Sequence, residues 1–77
     1  MQINVLVFGS LVDITGTSIV QCTLEPDSDS LLEKISAQFP SLREKKFAVA
    51  VDKQVITGNT PLHPSSEIAL LPPFSGG

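Results

Sequence analysis

Apolar and polar residues take turns at the start of the chain. Ile3, Val5 and Val7 fall on one side of an extended backbone, and Gln2, Asn4, Leu6 and Phe8 on the other. This period of two predicts a strand over residues 2–8 with its odd positions toward a core. Leu6 and Phe8 make the second face apolar as well near the strand's end, which a one-sided antiparallel sheet does not require. Gly9-Ser10 breaks the run, and residues 11–15 form a connection closed by Gly16. A second strand follows over 17–24, with Val20, Cys22 and Leu24 on one face and Ile19, Gln21 and Thr23 on the other. The spacing fits a hairpin with a long loop.

The period then changes. Pro26-Asp27-Ser28-Asp29-Ser30 is helix-start chemistry, since short oxygen-bearing side chains satisfy the free N–H groups of a first turn. Ser28 is the favoured N-cap, and Ser30, with Glu33 three residues on, is the alternative as a capping box. Leu31, Leu32, Ile35 and Phe39 recur at helical spacing, opposite Glu33, Lys34 and Gln38. The helix should stop at Phe39, because Pro40 disfavours helical geometry in the residue before it.

Residues 41–46, with Arg43, Glu44, Lys45 and Lys46, read as a charged surface segment. Residues 47–51, Phe-Ala-Val-Ala-Val, predict a central strand covered by the helix, Asp52-Lys53-Gln54 a turn, and 55–57 a short edge strand ended by Gly58-Asn59. Residues 60–66, with Pro61 and Pro64, are a loop, and 67–71 the last strand. A hairpin, then a helix that returns to the sheet, places the first and last strands side by side and parallel at the sheet centre. The expected fold class is α+β: a β-grasp (ubiquitin-like) domain over 1–71, a mixed sheet of four to five strands with one main helix across one face, then an extended tail over 72–77. Phe8 and Leu71 should meet on the face without the helix, as an apolar patch at the root of the tail.

Composition narrows the function. Seventy-seven residues make one small domain with little room for a deep pocket. A net charge of −3 and a pI near 4.7 argue against nucleic acid or an anionic membrane as partner. No apolar run approaches the roughly 18 residues of a membrane span, and the first residues lack signal-peptide character, so the expected location is the cytoplasm.

The side chains offer little chemistry. Cys22 is a lone thiol in a strand with no cationic neighbour in sequence, which suits a core residue better than a nucleophile. His63 sits in a Pro-rich loop without accompanying ligands. Glu25, Asp27, Asp29 and Glu33 complement a helix N-terminus, where negative charge is stabilised, and need no cation to explain them. No metal site is expected. Arg43, Lys45 and Lys46 read as a solvated loop. Phe8, Leu71 and Phe74 either complete a core or anchor a partner, and the enrichment of aromatic residues at interface centres favours anchors.

The end of the chain remains: Leu70-Leu71-Pro72-Pro73-Phe74-Ser75-Gly76-Gly77. Two prolines end the strand and hold the following residues away from the body. Six extended residues reach roughly 20 Å at most, far enough to place a carboxylate deep in another protein's cleft. Gly76 and Gly77 carry no Cβ, so a narrow channel can close on their backbone. A carboxylate is a poor electrophile until its oxygen becomes a good leaving group, as in an acyl-adenylate formed with ATP by a partner enzyme. The activated carbonyl can then accept sulfur or an amine.

This ending, with Val5-Leu6-Val7-Phe8, a loop closing at Gly16 and the 67–71 strand, resembles the small, sulfur-carrying subunits of molybdopterin synthase over essentially the whole chain. The Pro-Pro-x-Ser/Thr-Gly-Gly ending is the specific part, since related thiamine-pathway carriers usually lack the double proline. The resemblance implies that Gly77, with Gly76 before it, is the reactive end. A ubiquitin-activating-type adenylyltransferase would adenylate it using ATP, with no cofactor held permanently by this chain, and the adenylate would become a thiocarboxylate. It further implies that the tail inserts into a large catalytic subunit that builds the molybdopterin dithiolene from cyclic pyranopterin monophosphate, and Phe8, Leu71, Pro72, Pro73, Phe74 and Ser75 are the expected partner-binding residues. Many members carry an arginine in the first loop, where this chain has Leu11-Val12-Asp13. A carrier for thiamine or tRNA thiolation, a modifier that acylates lysines, and a plain interaction domain are the alternatives.

Overall fold

The computed structural model describes residues 1–72. Strand β1 (Gln2–Val7) buries Ile3, Val5 and Val7 in the expected phase, and β2 (Ile19–Thr23) buries Val20 and Cys22. They pair antiparallel, with Ile3 opposite Cys22 and Val5 opposite Val20, so one apolar set faces the core. The connection between them is more ordered than a plain loop. A 3-10 turn (Gly9–Leu11) runs into the short helix α1 (Val12–Thr15), which ends where Gly16 takes a left-handed conformation (φ 73°) and donates to the Val12 carbonyl at 2.7 Å. Leu11 is buried and Val12 and Ile14 pack partly against the core, so this segment is anchored by its own apolar side chains.

Helix α2 (Ser28–Gln38) carries Leu31 and Ile35 into the core, with Leu32 and Phe39 half-buried beside them. It stops at Phe39, as the following proline requires. The N-cap, however, is Asp27, not Ser28 or Ser30. Asp27 is extended (φ −148°, ψ 169°) and its Oδ1 accepts the Ser30 N–H at 2.9 Å. Ser28 is occupied elsewhere: its buried hydroxyl accepts the Thr60 N–H at 2.9 Å, while Asn59 Oδ1 accepts the Asp29 N–H at 2.9 Å. A loop some thirty residues downstream thus completes the start of the helix.

The charged segment after the helix is a 3-10 helix (Pro40–Glu44) that drives Leu42 into the core, where it is 1% exposed. Arg43, Glu44, Lys45 and Lys46 are exposed as expected. Strand β3 (Ala48–Val51) follows, and a two-residue turn at Asp52 (φ 52°) and Lys53 (φ 70°) leads into β4 (Gln54–Val55). A turn with both central residues left-handed pairs the flanking residues directly, so Val51 faces Gln54 and Ala50 faces Val55. This moves β4 one residue ahead of the expected 55–57. Asp52 is held by Glu67, whose carbonyl accepts its N–H at 2.8 Å and whose N–H donates to its Oδ1 at 2.9 Å.

Strand β5 (Ile68–Leu71) completes a five-stranded mixed sheet in the order β2-β1-β5-β3-β4. β1 and β5 are parallel neighbours at its centre, and β3 lies antiparallel to β5. Helix α2 covers one face, and Val5, Ile35, Leu31, Leu42, Ile68 and Leu70 are its most buried side chains. This is the β-grasp architecture. No helix among the described residues is long and apolar enough to cross a membrane.

Candidate functional site

The pairing register determines which residues share the face away from α2. Val5, Val7, Ile68 and Leu70 point into the core, so Leu6, Ala69 and Leu71 point outward. Ile19 is opposite Leu6, Leu6 opposite Ala69, Ala69 opposite Ala50 and Ala50 opposite Val55. One apolar row therefore crosses all five strands. Its ends are open: Ile19 is 48% and Val55 54% exposed.

A second, shorter row lies toward the exit of the chain. Ala48 is opposite Leu71, and Phe8 follows the pair Val7 and Leu70 by one residue, its N–H donating to the Leu70 carbonyl at 3.1 Å. Phe8 has extended dihedrals (φ −120°, ψ 156°), so its ring keeps the outward phase, and it is 46% exposed. Leu71 and Pro72 are half-buried. Phe8 and Leu71 thus come together at the end of β5, where the sequence placed them. Ile19 and Val55 widen the surface, and the alternation carried a signal for Ile19: it is the apolar residue on the otherwise polar face of β2. Val55 gave no such signal until the register of β4 was fixed.

Pro73, Phe74, Ser75, Gly76 and Gly77 lie outside the described residues. Cys22 is buried, and burial pushes its thiol pKa up, away from nucleophilic chemistry. His63 is exposed, with Nδ1 3.0 Å from Ser65 Oγ and Nε2 3.8 Å from Asp52 Oδ2. Of the acidic residues around α2, Asp27 is the cap, and hydrogen bonding from Ser30 holds its carboxyl below the usual range. Glu25 lies 3.7 Å from the Lys34 ammonium. Among the described residues no group of three or more His, Cys, Asp or Glu side chains is arranged to hold a metal ion. What the domain offers is an apolar surface beside the point where the chain leaves β5.

Comparison with known proteins gives a consistent picture. The ThiS family model matches residues 5–77. The molybdopterin synthase sulfur carrier subunit of Arabidopsis thaliana is 31% identical over 83 residues, spanning 100% of this chain and 84% of its own length. The subunit of the same name from Escherichia coli K12 is 28% identical over 81 residues, with 99% and 100% covered. Among solved structures, a chain in the complex of subunits 1 and 2 of molybdopterin-converting factor from Helicobacter pylori 26695 superposes with a TM-score of 0.71 at 30% identity, over 100% of both chains. SAMP1 from Haloferax volcanii shares the fold, with a TM-score of 0.79 at 20% identity over 100% of both chains. The chain thus belongs to the ThiS family of ubiquitin-like β-grasp proteins, as a sulfur carrier of the molybdopterin synthase kind.

Proposed function

We propose that this chain is the small subunit of a molybdopterin synthase and that its Gly77 carboxylate carries the sulfur. An adenylyltransferase of the ubiquitin-activating type binds the apolar face, and the Gly77 carboxylate attacks the α-phosphorus of ATP. Pyrophosphate leaves and an acyl-adenylate forms. A sulfur nucleophile at the oxidation level of sulfide then displaces AMP, which turns the carboxylate into a thiocarboxylate. The loaded carrier docks on a large catalytic subunit through Phe8 and Leu71, and the segment Pro72-Pro73-Phe74-Ser75-Gly76 carries the sulfur to cyclic pyranopterin monophosphate for dithiolene formation. Water finally supplies the oxygen that replaces the transferred sulfur: the C–S bond at the Gly77 carbonyl breaks, the sulfur stays with the pterin, and the carrier leaves as its carboxylate.

The observation that supports this reading most is the reach of the family match to Gly77, over a chain that leaves the fold beside an apolar surface. The domain itself holds no acid–base or nucleophilic constellation among its described residues, which suits a subunit that delivers a reactive end and leaves catalysis to its partners. The test is intact-mass analysis after incubation with the adenylyltransferase, ATP and sulfide. The expected product has one oxygen exchanged for sulfur at the C-terminus. A product unchanged in mass, or covalent adducts on protein lysines as the sole outcome, overturns the proposal.

A further inference from the structure

The charged side chains divide between the two ends of the sheet. Because β3 runs antiparallel to β5, with Ala48 opposite Leu71, the segment leading into β3 stands at the end where β5 finishes. That segment carries Arg43, Lys45 and Lys46, three of the five Lys and Arg residues of the chain, all exposed. Lys46 is two residues before Ala48, within about 8 Å of it along the chain. Among the described residues, Glu44 and Asp13 are the acids at this end. The opposite end is strongly acidic. Glu25, Asp27 and Asp29 follow Thr23, which is opposite Gln2, while Asp52 and Glu67 stand hydrogen-bonded where β3 ends and β5 begins, with Lys53 as the side-chain cation among them. The net charge of −3 thus combines a slightly positive end, where the chain leaves β5, with a negative far end. Nothing within the domain uses the basic group: among the described residues Lys34 lies beside Glu25 and His63 beside Asp52, and Arg43, Lys45 and Lys46 form no ion pair.

Five steps along β1, at about 3.3 Å each, set the two ends about 17 Å apart, roughly twice the screening length of about 8 Å at physiological salt. A partner approaching one end therefore feels mainly that end. A basic partner would capture the acidic end and hold the departing chain facing away from it. An acidic surface repels that end and draws in the other. We propose that Arg43, Lys45 and Lys46 form a steering patch for an acidic protein surface, carried by the large catalytic subunit beside its contact with Phe8 and Leu71. The inference rests on the carrier reading above. The patch is continuous with the same docking face, since it adjoins the pair Ala48 and Leu71 and gives an apolar centre a charged rim. Exposed rim charges act mainly on the rate of encounter. The patch sets how fast carrier and subunit meet, and the apolar face how long they stay together.

The experiment measures kon and koff of the unloaded carrier with a dye-labelled large subunit by stopped flow, at about 0.1 M and about 1 M salt, where the screening lengths are about 10 and 3 Å. Three double variants are compared with wild type: Lys45→Glu with Lys46→Glu, Lys34→Glu with Lys53→Glu, and Lys45→Arg with Lys46→Arg. All four positions are exposed, and thermal unfolding checks that each variant folds. The two Glu variants share one net charge and differ only in where it sits. At 0.1 M salt the Lys45 and Lys46 reversal should lower kon about tenfold or more with koff within threefold, and the deficit should vanish at 1 M. The Lys34 and Lys53 reversal should lower kon less than threefold, and the Arg variant should match wild type. An unchanged or raised kon in the Lys45 and Lys46 reversal, equal losses in the two Glu variants, or a loss that persists at 1 M salt overturns the inference. A wild-type chain that does not bind the large subunit refutes the carrier reading, and this inference with it, so the two failures are told apart.

Discussion

Replacing Phe8 by aspartate separates docking from folding. A Phe side chain has about 200 Å² to bury, and at 46% exposure about 90 Å² of it is open in the isolated domain. Covering that area on a partner is worth about 2 kcal/mol at roughly 25 cal/mol per Å². An aspartate in its place loses this and adds an unpaired carboxylate to be desolvated, a further penalty of about 1–3 kcal/mol. Affinity for the large catalytic subunit should fall by about 3–5 kcal/mol, roughly a hundredfold to several thousandfold. The folding cost is smaller, bounded by about 2.5 kcal/mol for the half of the ring already covered, which a domain with about 5–10 kcal/mol of stability survives. Isothermal titration against the large subunit, paired with thermal unfolding of the free carrier, measures both. Gln2→Asp is the control, on the same outward face at the far end of β1 and already exposed. Binding by Phe8→Asp within threefold of wild type, or an equal loss in Gln2→Asp, refutes the assignment of this face to docking.

Deleting Gly77 should abolish sulfur transfer while leaving the Tm unchanged, measured by thiocarboxylate yield and differential scanning fluorimetry. Leu42→Ala should destabilise the domain by about 2–5 kcal/mol in urea unfolding, because the residue is 1% exposed and its removal leaves a cavity. Asp27→Asn tests the cap through pH. The folded carboxyl sits below its ordinary pKa of 3.8, so the stability it contributes is fully present above that value and is lost as pH falls through the lower folded one. The Tm advantage of wild type over Asp27→Asn should therefore be flat above about pH 5 and shrink below it, in scans of thermal unfolding against pH. Cys22→Ala should form thiocarboxylate as the wild type does, and loss of that product would contradict a purely packing role for the buried thiol.

The parts of the fold legible in the sequence were those with repeated apolar spacing. Three odd positions in β1 and the alternation of Val20 and Cys22 in β2 each indicated a buried face, and Pro40 announced the end of α2. What escaped was carried by single residues or by partners far along the chain. Leu42 is one apolar residue among charges, too few to form a period, yet it is deeply buried. The cap of α2 was misassigned because three short polar residues compete for it locally, and what removes Ser28 is the loop at Asn59 and Thr60. The edge strand slipped by one residue because Asp52 and Lys53 adopt left-handed geometry without glycine, supported by Glu67, which no local pattern announces. That Phe8 and Leu71 stand on one outward face at the end of β5 was readable from element order alone. The outward row ending at Ile19 and Val55 required the register.

The parallel pairing of β1 with β5 connects these features. Because both strands run the same way, the loop that begins at Phe8 and the chain that continues past Leu71 emerge at one end of the sheet. An antiparallel pairing would have sent the loop to the opposite end and separated the aromatic residue from the exit by the length of a strand. The register also fixes the phase: Val7 opposite Leu70 turns both inward, so the next residue on each strand turns outward, and Phe8 and Leu71 are presented to the same side. Shifting either strand by one residue would bury one of them and expose a core residue in its place. The same buried alternation that stabilises the domain therefore decides where the outward apolar surface stands relative to the departing chain. Substitutions that disturb the pairing of Val7 with Leu70 should impair delivery and folding together, whereas those at Phe8 act mainly on docking.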